Sequence, residues 1–284
     1  MARLCRRAAC VSDNLLNVFN FALLIGLAFL TGLYFARYRK LAAEEFSPAA
    51  AWIRAGIFFC TCFILSWLTG TQEMILAAPL ATQAQLQNPR WVTWTAGLTL
   101  LIAVGYWWVW ARYTLRFDRQ RHLLAQVPFG LVWGLSMGQL FLVVWHWAVT
   151  AAALLPQWGI ILVAWLATGT VVALWMLFYW DLYIAPEHDT PFSITLKTIV
   201  VHVPQTFLCT IYLTLYNNYA ILIGLQTLAL VGAAVQMRMP PFWSRETTPA
   251  ARKYPFFAGI YYAGGYVSPD PRNDRYLKAA HLPF

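Results

Sequence analysis

The chain has 284 residues, of which 60% are hydrophobic and only 11% are charged, and its mean hydropathy is +0.56. These values lie outside the range of ordinary soluble domains and are typical of proteins embedded in a bilayer. The formal net charge is +9, but the basic residues stand at the ends of apolar runs, which argues against a nucleic-acid partner.

Apolar runs dominate the chain from its first third to its last. A run of about 20 helical residues, each rising ~1.5 Å, is long enough to cross the hydrocarbon core of a membrane. The sequence therefore predicts an all-α transmembrane bundle over residues 1–237, followed by a polar, aromatic and proline-rich tail over 238–284 that lies on the membrane surface. The seven predicted spans are residues 14–36, 52–69, 91–111, 127–154, 157–180, 194–215 and 218–237.

The first of these runs follows a basic amino terminus, as a signal peptide would. It is longer than an ordinary signal core and ends without a small-x-small cleavage site. We therefore interpret it as a retained helix. Basic residues flank it on both sides, so this helix alone does not set its own direction.

The orientation of the bundle is predicted from the loop after span three. Its arginines lie within a few residues of both neighbouring spans, as expected on the cytoplasmic side. Counting spans from this loop places residues 37–51, residues 181–193 and the carboxyl terminus on the same side. The arginines are Arg112, Arg116, Arg119 and Arg121.

The loop over residues 70–90 contains Pro79 and the apolar piece MILAAPLA. It is either an extension of helix two or a segment that lies on the membrane surface. Glu73 lies in this loop just beyond helix two and is one of the few acids in the region. It is either a solvated helix end or, beside Trp67, a proton donor to a lipid-soluble substrate.

Three glycines repeat at every fourth position of span four, in FGLVWGLSMGQL. Gly130, Gly134 and Gly138 share one helix face and allow another backbone to approach closely in lipid. The partner of this face is either another helix of the same chain or a second subunit.

Between spans five and six, the stretch YWDLYIAPEHDTPF concentrates acids in a chain that has few. One interpretation is a solvated turn in which Asp189 or Thr190 caps helix six. The functional interpretation is an acid/base or metal-binding group of Asp181, Glu187, His188 and Asp189 at the cytoplasmic surface. Trp180 and Tyr183 flank this group and would contact the substrate.

His202 lies deeper, in VVHVPQTF. It stands eleven residues after Pro191, which places it about 16 Å into the bilayer, where a polar side chain needs a partner. Pro204 frees a backbone carbonyl and Gln205 offers an amide. These residues form either a satisfied kink or the wall of a substrate cavity, and in the second case His202 and Gln205 bind the substrate.

Recognisable cofactor chemistry does not appear in the sequence. There is no phosphate-binding glycine loop, no HExxH metal pair, no CxxCH haem attachment and no lysine in the seventh span. The sequence thus names no metal and no cofactor.

Three functions fit this pattern. The first is a membrane enzyme that acts by acid/base chemistry, as a cyclase, isomerase or lyase would, on a lipid or isoprenoid substrate. The second is an accessory or scaffold subunit of a larger membrane complex. The third is a transporter of a small apolar or amphipathic molecule. The enzyme is favoured because the few polar side chains lie at helix ends or at one kink, among aromatic rings.

Overall fold

A computed structural model describes residues 45–46, 48–110, 121–179, 197–244 and 248–249. The first predicted span, the acidic turn and most of the tail lie outside these described residues. The helices are α1 (Pro48–Leu68), α2 (Thr71–Ala77), α3 (Gln83–Leu86), α4 (Pro89–Ala103), α5 (Leu123–Ala151), α6 (Gln157–Tyr179), α7 (Val203–Tyr216) and α8 (Tyr219–Gln236).

Two π-helical segments and one short strand pair complete the described structure. The first π-helical segment, Val104–Val109, continues α4, and the second, Lys197–His202, leads into α7. The two-residue strands β1 (Glu45–Phe46) and β2 (Thr248–Pro249) pair in antiparallel register.

Within the described ranges, five helices are long and apolar enough to cross a membrane. They correspond to predicted spans two, three, four, six and seven. The predicted fifth span corresponds to α6, which carries a shorter apolar stretch, Gln157–Val172. The five candidate spans are Ala51–Leu68, Pro89–Val109, Leu123–Ala151, Thr198–Tyr216 and Tyr219–Gln236.

Side-chain contacts fix the relative directions of these helices. The α1 rings of Trp52 and Phe58 contact the α5 rings of Phe129 and Trp133, with centroids 5.1 and 4.7 Å apart, so these two helices run parallel. We call the side of the bundle that carries residues 69–88 and the α7–α8 turn the hairpin side. The opposite side, where α5 begins and α8 ends, is the tail side. The sequence predicts the tail side to be cytoplasmic.

The glycine face of α5 lies against α8 of the same chain. A Cβ at Gly138 would stand 2.9 Å from the Cα of Ile223. At Gly130 and Gly134 a Cβ would overlap the backbone of α8. The two backbones are therefore in direct contact along two turns. Of the two partners that the sequence allowed for this face, the structure shows a helix of the same chain.

The connection over residues 69–88 is a separate unit rather than a continuation of α1. Gly70 adopts a left-handed conformation with φ 71°, which ends α1 before α2 begins. The amide of Asn218 donates to the carbonyl of Leu80 at 3.0 Å, and Gln85 donates to the carbonyl of Tyr216 at 3.2 Å. The helix-extension alternative is therefore wrong, and the connection lies over the α7–α8 turn.

Capping by Asn88 and the proline at position 89 determine where helix α4 begins. The side chain of Asn88 accepts hydrogen bonds from the backbone N–H groups of Arg90 and Trp91, and Pro89 occupies the first helical position, where its missing N–H costs nothing. The helix that begins here continues into the π-helical segment that carries Tyr106.

A line of threonines joins α7 to its neighbours. Thr206, Thr210 and Thr214 each donate a hydroxyl hydrogen to the carbonyl four residues earlier. Their oxygens also meet side chains of α6, since Trp165 donates to Thr206 at 3.4 Å and Thr168 lies 3.3 Å from Thr210. The threonines therefore satisfy their own hydrogen bonds while holding α7 in place.

Candidate functional site

The two π-helical segments meet inside the bundle. Gly105 lies in the first, and a Cβ at this position would be 3.3 Å from a methyl carbon of Val201 in the second. The next residue of each segment, Tyr106 and His202, form a hydrogen bond at 2.8 Å. Single π-helical turns occur often at functional sites, so this junction is the strongest candidate site in the described part of the chain.

Sequence explains the second π-helical segment in part. Pro204 has no N–H, so the carbonyl one turn earlier loses its usual helical partner. The neighbouring carbonyl of His202 accepts a hydrogen bond from the Thr206 hydroxyl at 2.9 Å. The kink predicted at Pro204 therefore coincides with a π-helical turn.

The first π-helical segment is supported from α8. The side-chain amide of Gln236 donates to the backbone carbonyl of Trp107 at 3.1 Å, and the indole N–H of Trp107 donates to the carbonyl of Leu228 at 3.0 Å. Position 232 is a glycine, and the ring of Trp107 occupies the space that a side chain there would need. These contacts hold the segment that carries Tyr106.

Hydrogen bonds continue from this junction across three spans, through a set of residues that we call the polar chain. The hydroxyl of Tyr106 donates to Oε1 of Gln205 at 2.5 Å. Nε2 of Gln205 donates to Oε1 of Gln226 in α8 at 3.1 Å. Nε2 of Gln226 donates to the sulfur of Cys209 at 3.9 Å. The polar chain consists of His202, Tyr106, Gln205, Gln226 and Cys209.

Burial of the polar chain makes its pairing important. Tyr106, Gln205 and Gln226 are all about nine-tenths buried or more, with 5%, 5% and 6% of their surface exposed. A buried polar group without a partner costs about 1–3 kcal/mol. Each of these three side chains has a partner on another helix. The polar chain therefore links the π-helical continuation of α4 to α7 and α8.

His202 lies at the edge of this buried group. Its imidazole is partly buried, whereas Ile199 and Val203 on the same helical stretch are 62% and 41% exposed. Exposed aliphatic side chains on a candidate span are where hydrocarbon tails would pack. The imidazole thus lies where the polar chain borders the surface that faces lipid.

The depth of the junction follows from the hairpin-side ends of the helices. Tyr216 ends α7 fourteen residues after His202, which at ~1.5 Å per residue is about 21 Å. Pro89 begins α4 seventeen residues before Tyr106, or about 25 Å away. In a hydrocarbon core of about 30 Å, the pair lies roughly 5–9 Å from the tail-side boundary. This is nearer to the boundary than the 16 Å that sequence counting gave.

Of the residues that the sequence singled out, the structure brings His202 and Gln205 together through the Tyr106 hydroxyl. Glu73 is exposed in the first turn of α2, on the hairpin side and far from this junction. The remaining candidates lie outside the described residues, and their roles stay predictions. They are Asp181, Glu187, His188, Asp189, Trp180 and Tyr183.

Sequence reasoning missed three members of the polar chain. Tyr106 lies in YWWVW, which resembles an interfacial aromatic belt, and Cys209 looks like an ordinary small core residue. Gln226 did carry a signal, because a single amide in the middle of the apolar run YAILIGLQTLALVGAAVQ requires a partner on another helix.

Chemically, the junction offers proton exchange. An imidazole is the side chain whose charge changes most readily near neutral pH, and a hydroxyl beside it orients the ring. Among the described residues, no group of three or more His, Cys, Asp or Glu side chains is placed to hold a metal ion.

The fold places this chain in a broad class: its apolar helices are those of an integral-membrane, multi-pass protein. Comparisons with protein-family models, with curated proteins and with solved structures find no match to the chain. Its function is therefore argued from the site alone.

Proposed function

We propose that this chain is a membrane-embedded enzyme that acts by acid/base chemistry on a lipid-soluble substrate, such as a lipid or an isoprenoid. The observation that supports this most is the hydrogen bond between Tyr106 and His202, inside the bundle and beside the lipid-facing surface. Ionisable residues within membrane spans are rare and usually functional. A substrate dissolved in the bilayer would reach His202 without passing through water.

In this proposal His202 is the group that takes and returns a proton. Tyr106 orients the imidazole, and Gln205 holds the Tyr106 hydroxyl in place. The acid turn contributes the second polar group, with Asp181 or Glu187 as the acid and His188 as its partner. Trp180 and Tyr183 contact the apolar body of the substrate.

The proposal includes a topology of seven spans, with the first helix retained and the tail side in the cytoplasm. The arginines of residues 112–121 support this orientation through the excess of positive charge on cytoplasmic loops. Engineered thiols near positions 118 and 187 should resist reagents that cannot cross lipid when these are applied to intact cells. Rapid labelling of either thiol would contradict the proposed orientation.

The transporter alternative has weaker support. A transporter needs a polar pathway along a helix, and the threonines of α7 give such a line. Their hydroxyl hydrogens, however, are committed to backbone carbonyls of the same helix. The accessory-subunit alternative predicted an outer partner for the glycine face of α5, and that face contacts α8 instead.

The test compares the neutral lipids of cells that make the native protein with those of cells that make His202→Ala. We expect the variant to accumulate a substrate, or to lose a product, that mass spectrometry detects. His146→Ala is the matched control, because His146 is a partly buried histidine of α5 near its hairpin-side end. Equal lipid profiles for all three proteins, at equal amounts in the membrane, would contradict the proposal.

A further inference from the structure

The wide turn that continues α4 carries one residue more than an α-helical turn. The backbone N–H of Trp110 donates to the carbonyl of Gly105, five residues earlier, whereas an α-helix would pair it with the carbonyl four residues earlier. With about 3.6 residues per turn, one residue corresponds to a rotation of about 100°. Side chains beyond the turn therefore point in a different direction from the one that an unbroken α-helix would give them.

The hairpin-side part of α4 is held in one position by its own contacts. Asn88 caps its first turn, and the hydroxyl of Thr95 lies 3.0 Å from the hydroxyl of Tyr212 in α7. A change from the wide turn to an α-helical turn would therefore rotate Tyr106 and the residues after it. The Tyr106 hydroxyl lies 2.8 Å from Nδ1 of His202, and a separation of about 3.6 Å is no longer a hydrogen bond. A shift of less than about 1 Å would thus break the junction.

Local backbone preference does not explain the wide turn, because π-helical turns are rare and an α-helix is the default for an apolar run of this length. A contact with another helix must stabilise it. Trp107, the residue after Tyr106, makes such contacts with α8. Its indole N–H donates to the carbonyl of Leu228 at 3.0 Å, and its own carbonyl accepts from the side-chain amide of Gln236 at 3.1 Å. Both acceptors are backbone carbonyls, so the direction of both hydrogen bonds is settled.

Gly232 completes the face of α8 that receives Trp107. Leu228, Gly232 and Gln236 follow one another at every fourth position, so they share one face of the helix. The indole ring lies against this face, and a Cβ at Gly232 would overlap the ring. Rotation of Trp107 toward its α-helical direction would separate it from all three residues. Two net hydrogen bonds would shift the equilibrium between the two registers by roughly thirtyfold toward the wide turn.

We infer that α8 selects the wide register of α4 through its contacts with Trp107. Gly232 and Gln236 are then positioning residues that act on Tyr106 through this contact. The segment has two registers, and only the wide one brings Tyr106 to His202, so contact between α4 and α8 regulates the site. This catalytic consequence rests on the proposed function, whereas the register is a property of the folded protein whether or not it is an enzyme.

The experiment is solid-state NMR of the full chain in lipid bilayers, with two pairs of labels. The first pair, ¹³C in the tyrosine rings and ¹⁵N in the histidine rings, reports the contact between Tyr106 and His202 and is assigned from a Tyr106→Phe sample. The second pair, carbonyl ¹³C of glycine and backbone ¹⁵N of tryptophan, reports the bond from Trp110 to Gly105 and is assigned from a Trp110→Phe sample. We expect both couplings in the native protein.

Gly232→Ala places a methyl group where the indole ring lies. Both couplings should fall by about half or more, because the ring leaves α8 and the segment returns to the α-helical register. Gly224→Ala is the matched control and should keep both couplings, since it is the same change on the same helix with nothing within 4 Å of the new Cβ. If Gly232→Ala does not fold, Trp107→Phe removes the indole N–H and should also lower both couplings. Its control is Trp108→Phe, at the next residue, which is 59% exposed.

Native couplings in Gly232→Ala would overturn the inference, because the bonds of Tyr106 to α7 would then suffice to hold the wide turn. Loss of the first coupling with the second intact would overturn it too, since the helices would have moved apart without a change of register. Either result leaves the enzyme proposal standing if His202→Ala still changes the lipid profile. Loss of both couplings in Gly232→Ala, with an unchanged lipid profile in His202→Ala, would contradict the enzyme and keep the positioning role.

Discussion

Replacing Gly134 by alanine tests the contact on which the bundle depends. A Cβ at this position would overlap the Cα of Thr227 in α8, which is backbone and cannot turn aside. Carbon atoms in ordinary contact are about 3.5–4.0 Å apart, so α5 and α8 would have to separate by roughly 1 Å or more. Overpacking of this kind costs about 1–3 kcal/mol.

The size of the effect should follow the available space. Gly138→Ala should cost less, because its Cβ would meet the Cα of Ile223 at 2.9 Å. Gly224→Ala is the matched control, since nothing lies within 4 Å of a Cβ there and alanine favours a helix by roughly 0.5–1 kcal/mol. Both substitutions lie inside helices and gain this preference, so Gly134→Ala should be less stable than Gly224→Ala by about the overpacking cost of 1–3 kcal/mol.

The assay is reversible unfolding in mild detergent, followed by tryptophan fluorescence, with the three variants measured side by side. The expected order of stability is Gly224→Ala, then Gly138→Ala, then Gly134→Ala. Equal stability of Gly134→Ala and Gly224→Ala would refute the α5–α8 register, and with it the position of Gln226 against α7.

Three further changes use the same unfolding assay. Thr210→Val removes the bond to Thr168 and should lower the free energy of unfolding by about 0.5–1 kcal/mol; an unchanged value would mean that α6 is held by other contacts. Asn88→Ala removes the cap of α4 and should cost about 1 kcal/mol, whereas no loss would show that the cap is replaced by water. Gln126→Leu should raise stability by about 1–3 kcal/mol, because neither polar atom of this fully buried amide has a hydrogen-bond partner among the described residues, and a loss of stability would contradict this interpretation.

Helix positions were predictable because length and hydropathy alone define a membrane span. The predicted spans 194–215 and 218–237 leave only a short link between them, so the sequence also requires α7 and α8 to form an antiparallel hairpin. The π-helical segments were not predictable, since a wider turn leaves the apolar pattern unchanged over six residues. Only Pro204 hinted at one of them.

The site was predictable only in part, for a physical reason. His202 and Gln205 are neighbours on one helix, so sequence spacing alone brings them together. Tyr106 and Gln226 come from two other spans, and no rule of spacing tells which membrane helices are neighbours or how they are rotated. Gln226 could be recognised as a residue that needs a partner, but not as the partner of Gln205.

Incorporation of deuterium tests the central claim most directly. The purified protein in nanodiscs would be incubated with a total lipid extract in heavy water, and the neutral lipids would be analysed by mass spectrometry. If His202 exchanges a proton with carbon in a lipid-soluble substrate, one lipid should gain deuterium with the native protein and with His146→Ala, but not with His202→Ala. Equal deuterium in every lipid for all three proteins would contradict the account.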